Sequence, residues 1–223
     1  MLSTRAVRPF PPGLYAVVDD TVRVDLSLQE KGARLLEGRV PVIQLRLKRT
    51  PMREALEIAR ELALRCRAAG TVLVINDRVD LAQLSGAHGV HLGDEDLPPE
   101  EARRVLGPEA IIGVTVRSLQ EARAAHAQGA AYAGIGPVFS TQTKVVNAPQ
   151  LGLEGLAEIA AHSPLPLVAI AGITGDNIGD VARTGVHSAA VVSDLLLAED
   201  IPARARVLHQ LFLDASAKMG VTG

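Results

Sequence analysis

Eight short apolar stretches recur along the chain, each ending in polar residues and each followed by a segment of helical character; no other feature limits the fold as much. The stretches span 13–18 (G-L-Y-A-V-V), 40–47, 72–76, 89–92, 111–115, 132–135, 167–170 and 189–192. The segments that follow, 26–36, 51–69, 78–84, 98–106, 118–128, 153–161, 177–184 and 201–216, carry apolar residues at helical spacing. Alternating strands and helices predict a parallel sheet. Eight units predict a closed (β/α)8 barrel, the TIM-barrel class of α/β fold, whose active site lies at the C-terminal ends of the strands. Small-residue phrases at 68–70, 86–88, 129–131 and 184–186 precede four of the strands and read as helix ends turning into the sheet. Ser118 reads as a helix N-cap. A length of 223 residues suits one such barrel over 13–216, with a loosely held lead-in over 1–12 and a short tail over 217–223.

The strand ends carry the chemistry. Asp19 and Asp20 follow the first strand. Gln44, Arg46 and Lys48 alternate with Ile43, Leu45 and Leu47 on the second, so the three polar residues share a face. The run 72–75 stops at Asn76 and Asp77, and the run 90–92 breaks at Gly93 into Asp94, Glu95 and Asp96. Thr115 ends the fifth strand, and S-T-Q-T-K at 140–144 follows the sixth. Gly172 and Ser193 follow the seventh and eighth. A carboxylate at each of two strand ends suits Mg2+, which takes oxygen ligands and usually one or two carboxylates beside water and substrate phosphates. The competing reading is that these acids cap the helices that follow. Arg46, Lys48 and Lys144 supply cations for phosphate oxygens. G-I-T-G at 172–175, with Val192 and Ser193, sits where barrels place a separate phosphate on backbone N–H groups. The set suits a metal-bound diphosphate and a second, metal-free monophosphate. His91 reads as a hydrogen-bonded rim histidine, and His88, His126, His162, His187 and His209, which lack ligand spacing, as surface residues.

Composition excludes other classes. Aromatic residues are 2% of the chain, with no Trp, which argues against base-stacking platforms for nucleic acid. The net charge is −2 with both signs interspersed, so no field draws the chain to nucleic acid or membrane. No apolar run is long enough to span a bilayer, and 1–12 does not read as a signal peptide, so a cytoplasmic protein is expected. Cys66, alone in the chain, lies in a helical pattern and reads as a buried structural thiol.

These motifs resemble the thiamine-phosphate synthase (thiamine-phosphate pyrophosphorylase) family. The resemblance runs from about Gly13 to Leu197 and rests on Q-L-R-L-K (44–48), I-N-D-R-V-D-L-A (75–82), G-V-H-L-G-D-E-D-L (89–97), G-P-V-F-S-T-Q-T-K (136–144), L-G-L-E-G-L (151–156) and V-A-I-A-G-I (168–173). It implies a barrel enzyme, a transferase that requires Mg2+. Hydroxymethylpyrimidine diphosphate and hydroxyethylthiazole phosphate would be joined into thiamine phosphate and diphosphate. By position, Gln44, Arg46, Lys48, Asn76 and Lys144 would hold the pyrimidine diphosphate, with Thr115 touching the pyrimidine where the family usually has serine. Arg46, Lys48, Lys144 and Thr115 would act on the reacting groups, and Asp77 and Asp96 would bind Mg2+. Thr141, Gln142, Thr143, Gly172, Val192 and Ser193 would hold the thiazole phosphate. The resemblance also suggests a homodimer. The chain departs from the family pattern at Asp94, where glutamine is usual, at Thr115, at Ala171, where a glycine is common, and at Val145 and Val146, where the family is more polar. A thiazole tautomerase-like isomerase is the nearest alternative; that relative carries a histidine where this chain has Arg117. A phosphate-sensing barrel without activity is a third.

Overall fold

Eight parallel strands pair in chain order and close on themselves: β1 (Gly13–Asp19), β2 (Val42–Arg46), β3 (Val72–Asn76), β4 (Gly89–Leu92), β5 (Ile111–Val116), β6 (Tyr132–Ile135), β7 (Leu167–Ala169) and β8 (Ser188–Val191), with Gly13 opposite Ser188 at the seam. The coordinates, a computed structural model, describe residues 10–141 and 149–218. Helices α1 (Leu28–Glu37), α2 (Met52–Ala69), α3 (Val79–Ser85), α4 (Pro99–Leu106), α5 (Leu119–Ala127), α6 (Gly152–His162), α7 (Ile178–Ala182), α8 (Ser193–Leu196) and α9 (Ile201–Ala217) complete the alternation.

Strand periodicity divides the core in two. On β1, Leu14, Ala16 and Val18 face outward into the layer between barrel and helices, while Tyr15 and Val17 face the barrel interior. The outer layer is filled by helical stripes such as Ala55, Ile58, Ala59, Leu62, Ala63 and Cys66 on α2. Burial there pushes the Cys66 thiol up to about 12, so it stays protonated, as expected of a structural thiol. The interior is narrow and apolar below, with Val42, Val72, Val74, Ile111 and Val168. Its upper rungs are polar, because the last inward residues of β1 to β5 are Asp19, Arg46, Asn76, His91 and Thr115.

The glycines of all four small-residue phrases, Gly70, Gly86, Gly129 and Gly185, adopt the left-handed conformation expected at a helix stop. Element ends moved for local reasons. The helix expected from 26 starts at Leu28 because Ser27 caps it, accepting from Glu30 N. The strand expected from 40 starts at Val42, since Val40 N donates back to Leu35 O and Pro41 has no N–H. α8 was not expected; its four residues are too few to show a period. Residues 1–9 of the lead-in lie outside the described residues, but the part that follows is tied down. Phe10 is buried and stacks on Tyr132 at 4.2 Å, and His187 Nε2 lies 2.8 Å from Phe10 O.

Candidate active site

The polar rungs surround a cavity of about 350 Å3 at the C-terminal mouth of the barrel. Gln44, Arg46, Asn76, Thr115, Gly172 and Ser193, all singled out in the sequence, line it, together with Thr141 and Val192. Arg46 is held by Asp19, a buried carboxylate whose Oδ2 accepts from Arg46 Nη1 at 2.6 Å and whose Oδ1 accepts from the Thr21 N–H and hydroxyl. Lys31 is buried beneath this turn and donates to Asp19 O and Val22 O. The guanidinium is thus fixed at one edge, on a residue that lines the cavity. Asp20 serves the backbone, accepting from Arg49 N and Thr50 N.

Lys48, Asp77 and Asp96 form a group beside the cavity rather than in its wall. Neither acid caps the following helix: the N-cap of α3 is Arg78 and that of α4 is Pro98, both without a side-chain cap bond. Asp77 instead contacts the Lys48 ammonium, and Asp96 Oδ2 accepts from Gly93 N at 2.6 Å. Asp77 has φ +62°, a conformation that aspartate tolerates better than most residues but that still costs energy; such outliers gather at functional sites. Burial works to raise the Asp77 carboxyl, but the contacts with Lys48 and Asp96 outweigh it and hold the group below its ordinary range. Asp96 is held above its range, first by burial, against the pull of the Gly93 N–H, and then by Asp77. Two carboxylates whose charges oppose each other suit a shared divalent cation. Among the described residues no three His, Cys, Asp or Glu side chains cluster as metal ligands.

A hydrogen-bonded run crosses the cavity floor. Gln44 Nε2 donates to the Tyr15 hydroxyl at 2.9 Å, and the Tyr15 and Tyr132 hydroxyls are 2.9 Å apart. The Tyr132 hydroxyl lies 3.0 Å from His91 Nδ1, and His91 Nε2 lies 3.0 Å from Thr115 Oγ1. His91 is therefore the hydrogen-bonded rim histidine expected. His126 and His162 are exposed, as expected of surface residues. His88, His187 and His209 are not: each is partly buried, with His88 Nδ1 and His209 Nδ1 accepting from Leu73 N and Leu14 N, and His187 on Phe10 O. Burial lowers the His209 ring below its ordinary value. A ring nitrogen tied to a strand N–H leaves no trace in sequence spacing.

On the opposite wall, the segment after β7 is a shaped turn. Asn177 Oδ1 accepts from Thr174 N and its amide donates to Gly172 O, while Asp194 Oδ2 accepts from Gly175 N and pairs with Arg204. A Cβ at Gly172 would come within 2.5 Å of Ser140 O, so the two walls touch there. Gln142, Thr143 and Lys144, with Val145 and Val146, lie outside the described residues. Ala171 has φ +75°, which explains physically why glycine is common at that place. Ala171→Gly is expected to stabilise the fold by roughly 0.5–1 kcal/mol, since the left-handed strain of a non-glycine residue exceeds the added freedom of an unfolded glycine. A denaturation midpoint that stays put or falls would contradict this. The departure at Asp94 has a partner: its carboxylate forms an exposed ion pair with Arg117.

A model of the family described as thiamine monophosphate synthase matches residues 14–195. The thiamine-phosphate synthase of Myxococcus xanthus is 54% identical over 202 residues, covering 91% of this chain and 93% of its own. That of Anaeromyxobacter dehalogenans is 44% identical over 210 residues, covering 94% and 92%. The solved thiamine phosphate pyrophosphorylase from Pyrococcus furiosus is 38% identical and superposes with a TM-score of 0.83 over 91% of this chain and 96% of that one. A match that runs from β1 into α8 at such identity reaches well beyond shared barrel architecture, and on it the chain belongs to the thiamine monophosphate synthase family.

Proposed function

We propose that this chain joins hydroxymethylpyrimidine diphosphate to hydroxyethylthiazole phosphate, releasing thiamine phosphate and diphosphate with the help of Mg2+. The observation that carries this is the contact of Asp77 with both Lys48 and Asp96 beside a cavity edged by Arg46. The bond from the pyrimidine methylene carbon to the diphosphate oxygen breaks, and the electron pair leaves with the diphosphate. The thiazole nitrogen supplies the pair for the new carbon–nitrogen bond. An electron-rich aminopyrimidine stabilises the positive charge in between, so the substitution is dissociative and needs charge stabilisation more than a base. Asp77 and Asp96 would hold Mg2+, which would supply positive charge to the leaving diphosphate.

Arg46, Lys48 and Lys144 add protein cations to the diphosphate, with Asn76 as a neutral donor. Asp19 keeps Arg46 aimed, so no reorganisation is needed as charge develops. Gln44 and Thr115 grip the pyrimidine. Thr141, Gln142, Thr143, Gly172, Val192 and Ser193 hold the thiazole phosphate, so that the nucleophile sits close to the carbon it attacks. A homodimer and a cytoplasmic location belong to the same reading; both substrates are charged phosphates that do not cross membranes unaided.

Calorimetry tests the division of labour between the two sites. An unreactive analogue of the pyrimidine diphosphate is expected to bind with Mg2+ and to lose at least tenfold in affinity after EDTA. Thiazole phosphate is expected to bind equally in both conditions. A protein that ignores the pyrimidine diphosphate throughout, yet isomerises a thiazole carboxylate phosphate, is an isomerase and not a synthase.

A further inference from the structure

The run across the cavity floor has a direction, and the direction follows from counting protons. Burial pushes the Tyr15 and Tyr132 hydroxyls well above their ordinary range, so each keeps one proton to donate. The Gln44 amide N–H occupies the Tyr15 oxygen as a donor. Tyr15 therefore gives its own proton to the Tyr132 oxygen, the other partner within reach. Tyr132 in turn gives its proton to His91 Nδ1, which must then be the bare nitrogen of a neutral ring. The ring proton sits on Nε2 and goes to Thr115 Oγ1. Thr115 has accepted one bond and still holds a proton, and its side chain lines the cavity. At the other end Gln44 has committed its amide nitrogen to Tyr15, and Oε1 has no hydrogen-bond partner among the described residues.

We infer that Tyr15, Tyr132 and His91 are positioning residues that polarise this run, so that the cavity offers the pyrimidine a hydroxyl donor at Thr115 and an amide acceptor at Gln44. The inference rests on the synthase reading and deepens it. An aminopyrimidine matches the pattern: a ring nitrogen accepts from Thr115 and the exocyclic amine donates to Gln44. An oxopyrimidine presents an acceptor where Gln44 also accepts, and is turned away. Tyr132 makes its contacts from full burial, stacked 4.2 Å above Phe10 and 5.5 Å from the His91 ring. A merely structural role for Tyr132 ends at that stacking. The polarised run requires its hydroxyl.

The test compares the natural pyrimidine diphosphate with its two pyridine analogues, each with one ring nitrogen replaced by C–H, in wild type and in Tyr132→Phe. In the wild type one analogue is expected to lose roughly 10–100-fold in kcat/KM, the range for leaving one buried donor unpaired. Any intrinsic electronic effect of the missing nitrogen is the same in both proteins and cancels when the penalties are compared. In Tyr132→Phe, with His91 free to change tautomer and Thr115 no longer forced to donate inward, the penalty is expected to shrink to within about threefold of that intrinsic effect. Tyr15→Phe frees the run from Gln44 and is expected to shrink the penalty as well, which keeps the test open if Tyr132→Phe fails to fold. An equal penalty in wild type and either folded variant overturns the relay, as does a penalty that is larger in the variant than in the wild type. Wild-type protein that makes no thiamine phosphate from the natural substrates is a different failure, that of the synthase reading.

Discussion

Asp77→Asn is expected to lower kcat by roughly 10²–10³ at saturating substrates, with most of the loss appearing as a higher Mg2+ requirement. The substitution removes a charge and little else. Asparagine accepts the left-handed backbone that Asp77 occupies at φ +62°, so the strand end keeps its shape. The partner lost is Lys48, and because that ammonium is exposed and Asp77 only partly buried, its removal costs about 1 kcal/mol. With the neighbouring negative charge gone, the Asp96 carboxyl falls back toward its ordinary range, since Asp77 is one of the groups that hold it up. Asp96→Asn should cost as much in rate; its amide oxygen still accepts from Gly93 N and keeps the turn. Asp94→Gln is the matched control. The Asp94 charge is already paired with Arg117, so its removal should change kcat less than about threefold. The readouts are initial rates across a Mg2+ titration and melting curves without metal. Full activity of Asp77→Asn at limiting Mg2+ would remove the metal from these acids. A dead Asp94→Gln beside an active Asp96→Asn would show that a different acid carries it.

The barrel was legible because its two periodicities are local. Strand alternation, helical spacing and a glycine at four of the helix-to-strand turns all lie within a dozen residues of one another, so the order of elements could be read with the ends displaced and the short α8 missed. The same alternation exposed Gln44 and Arg46 as neighbours on the inward face. What could not be read depends on strand register. Tyr15 and Tyr132 lie 117 residues apart in sequence and meet only because β1 and β6 face each other across the barrel interior. Each alone is an aromatic residue in an apolar strand. Asp19 was visible as an acid at a strand end, but its role as the buried clamp on Arg46 needs the β1–β2 register that sets Asp19 opposite Arg46. The Asp94–Arg117 pair was hidden for the same reason, so the departure at Asp94 looked like an unbalanced negative charge when Arg117 neutralises it. Phe10 illustrates the opposite case: it sits in a Pro-rich polar stretch that reads as a loose lead-in, yet Tyr132 gives it an aromatic face to cover.

Gly113→Ala should be among the most damaging single methyls added to the barrel interior, lowering stability by about 2–6 kcal/mol. A Cβ at that position would lie 2.0 Å from Tyr132 Cζ and 2.4 Å from its hydroxyl oxygen, far inside contact distance. The Tyr132 ring has nowhere to go. It is fully buried, Phe10 stacks on it at 4.2 Å, and its hydroxyl is tied to both Tyr15 and His91. The Gly113–Tyr132 pairing of β5 and β6 fixes the backbone distance, so the clash cannot be relieved by sliding one strand. The ring must therefore leave its slot. Overpacking of this kind costs about 1–3 kcal/mol, and a displaced ring adds roughly 1–3 kcal/mol for buried partners left unsatisfied. For a chain of this length that corresponds to a fall of about 10 °C in melting temperature. The argument predicts strong non-additivity as well. In a Tyr132→Ala background the space beside residue 113 is open, and Gly113→Ala should then cost less than about 1 kcal/mol. Chemical denaturation of the four proteins in this cycle measures the coupling directly. A Gly113→Ala variant within 1 kcal/mol of wild type, or equal costs in both backgrounds, would mean that Tyr132 is not confined in this way and that the floor of the site yields where the contacts say it is rigid.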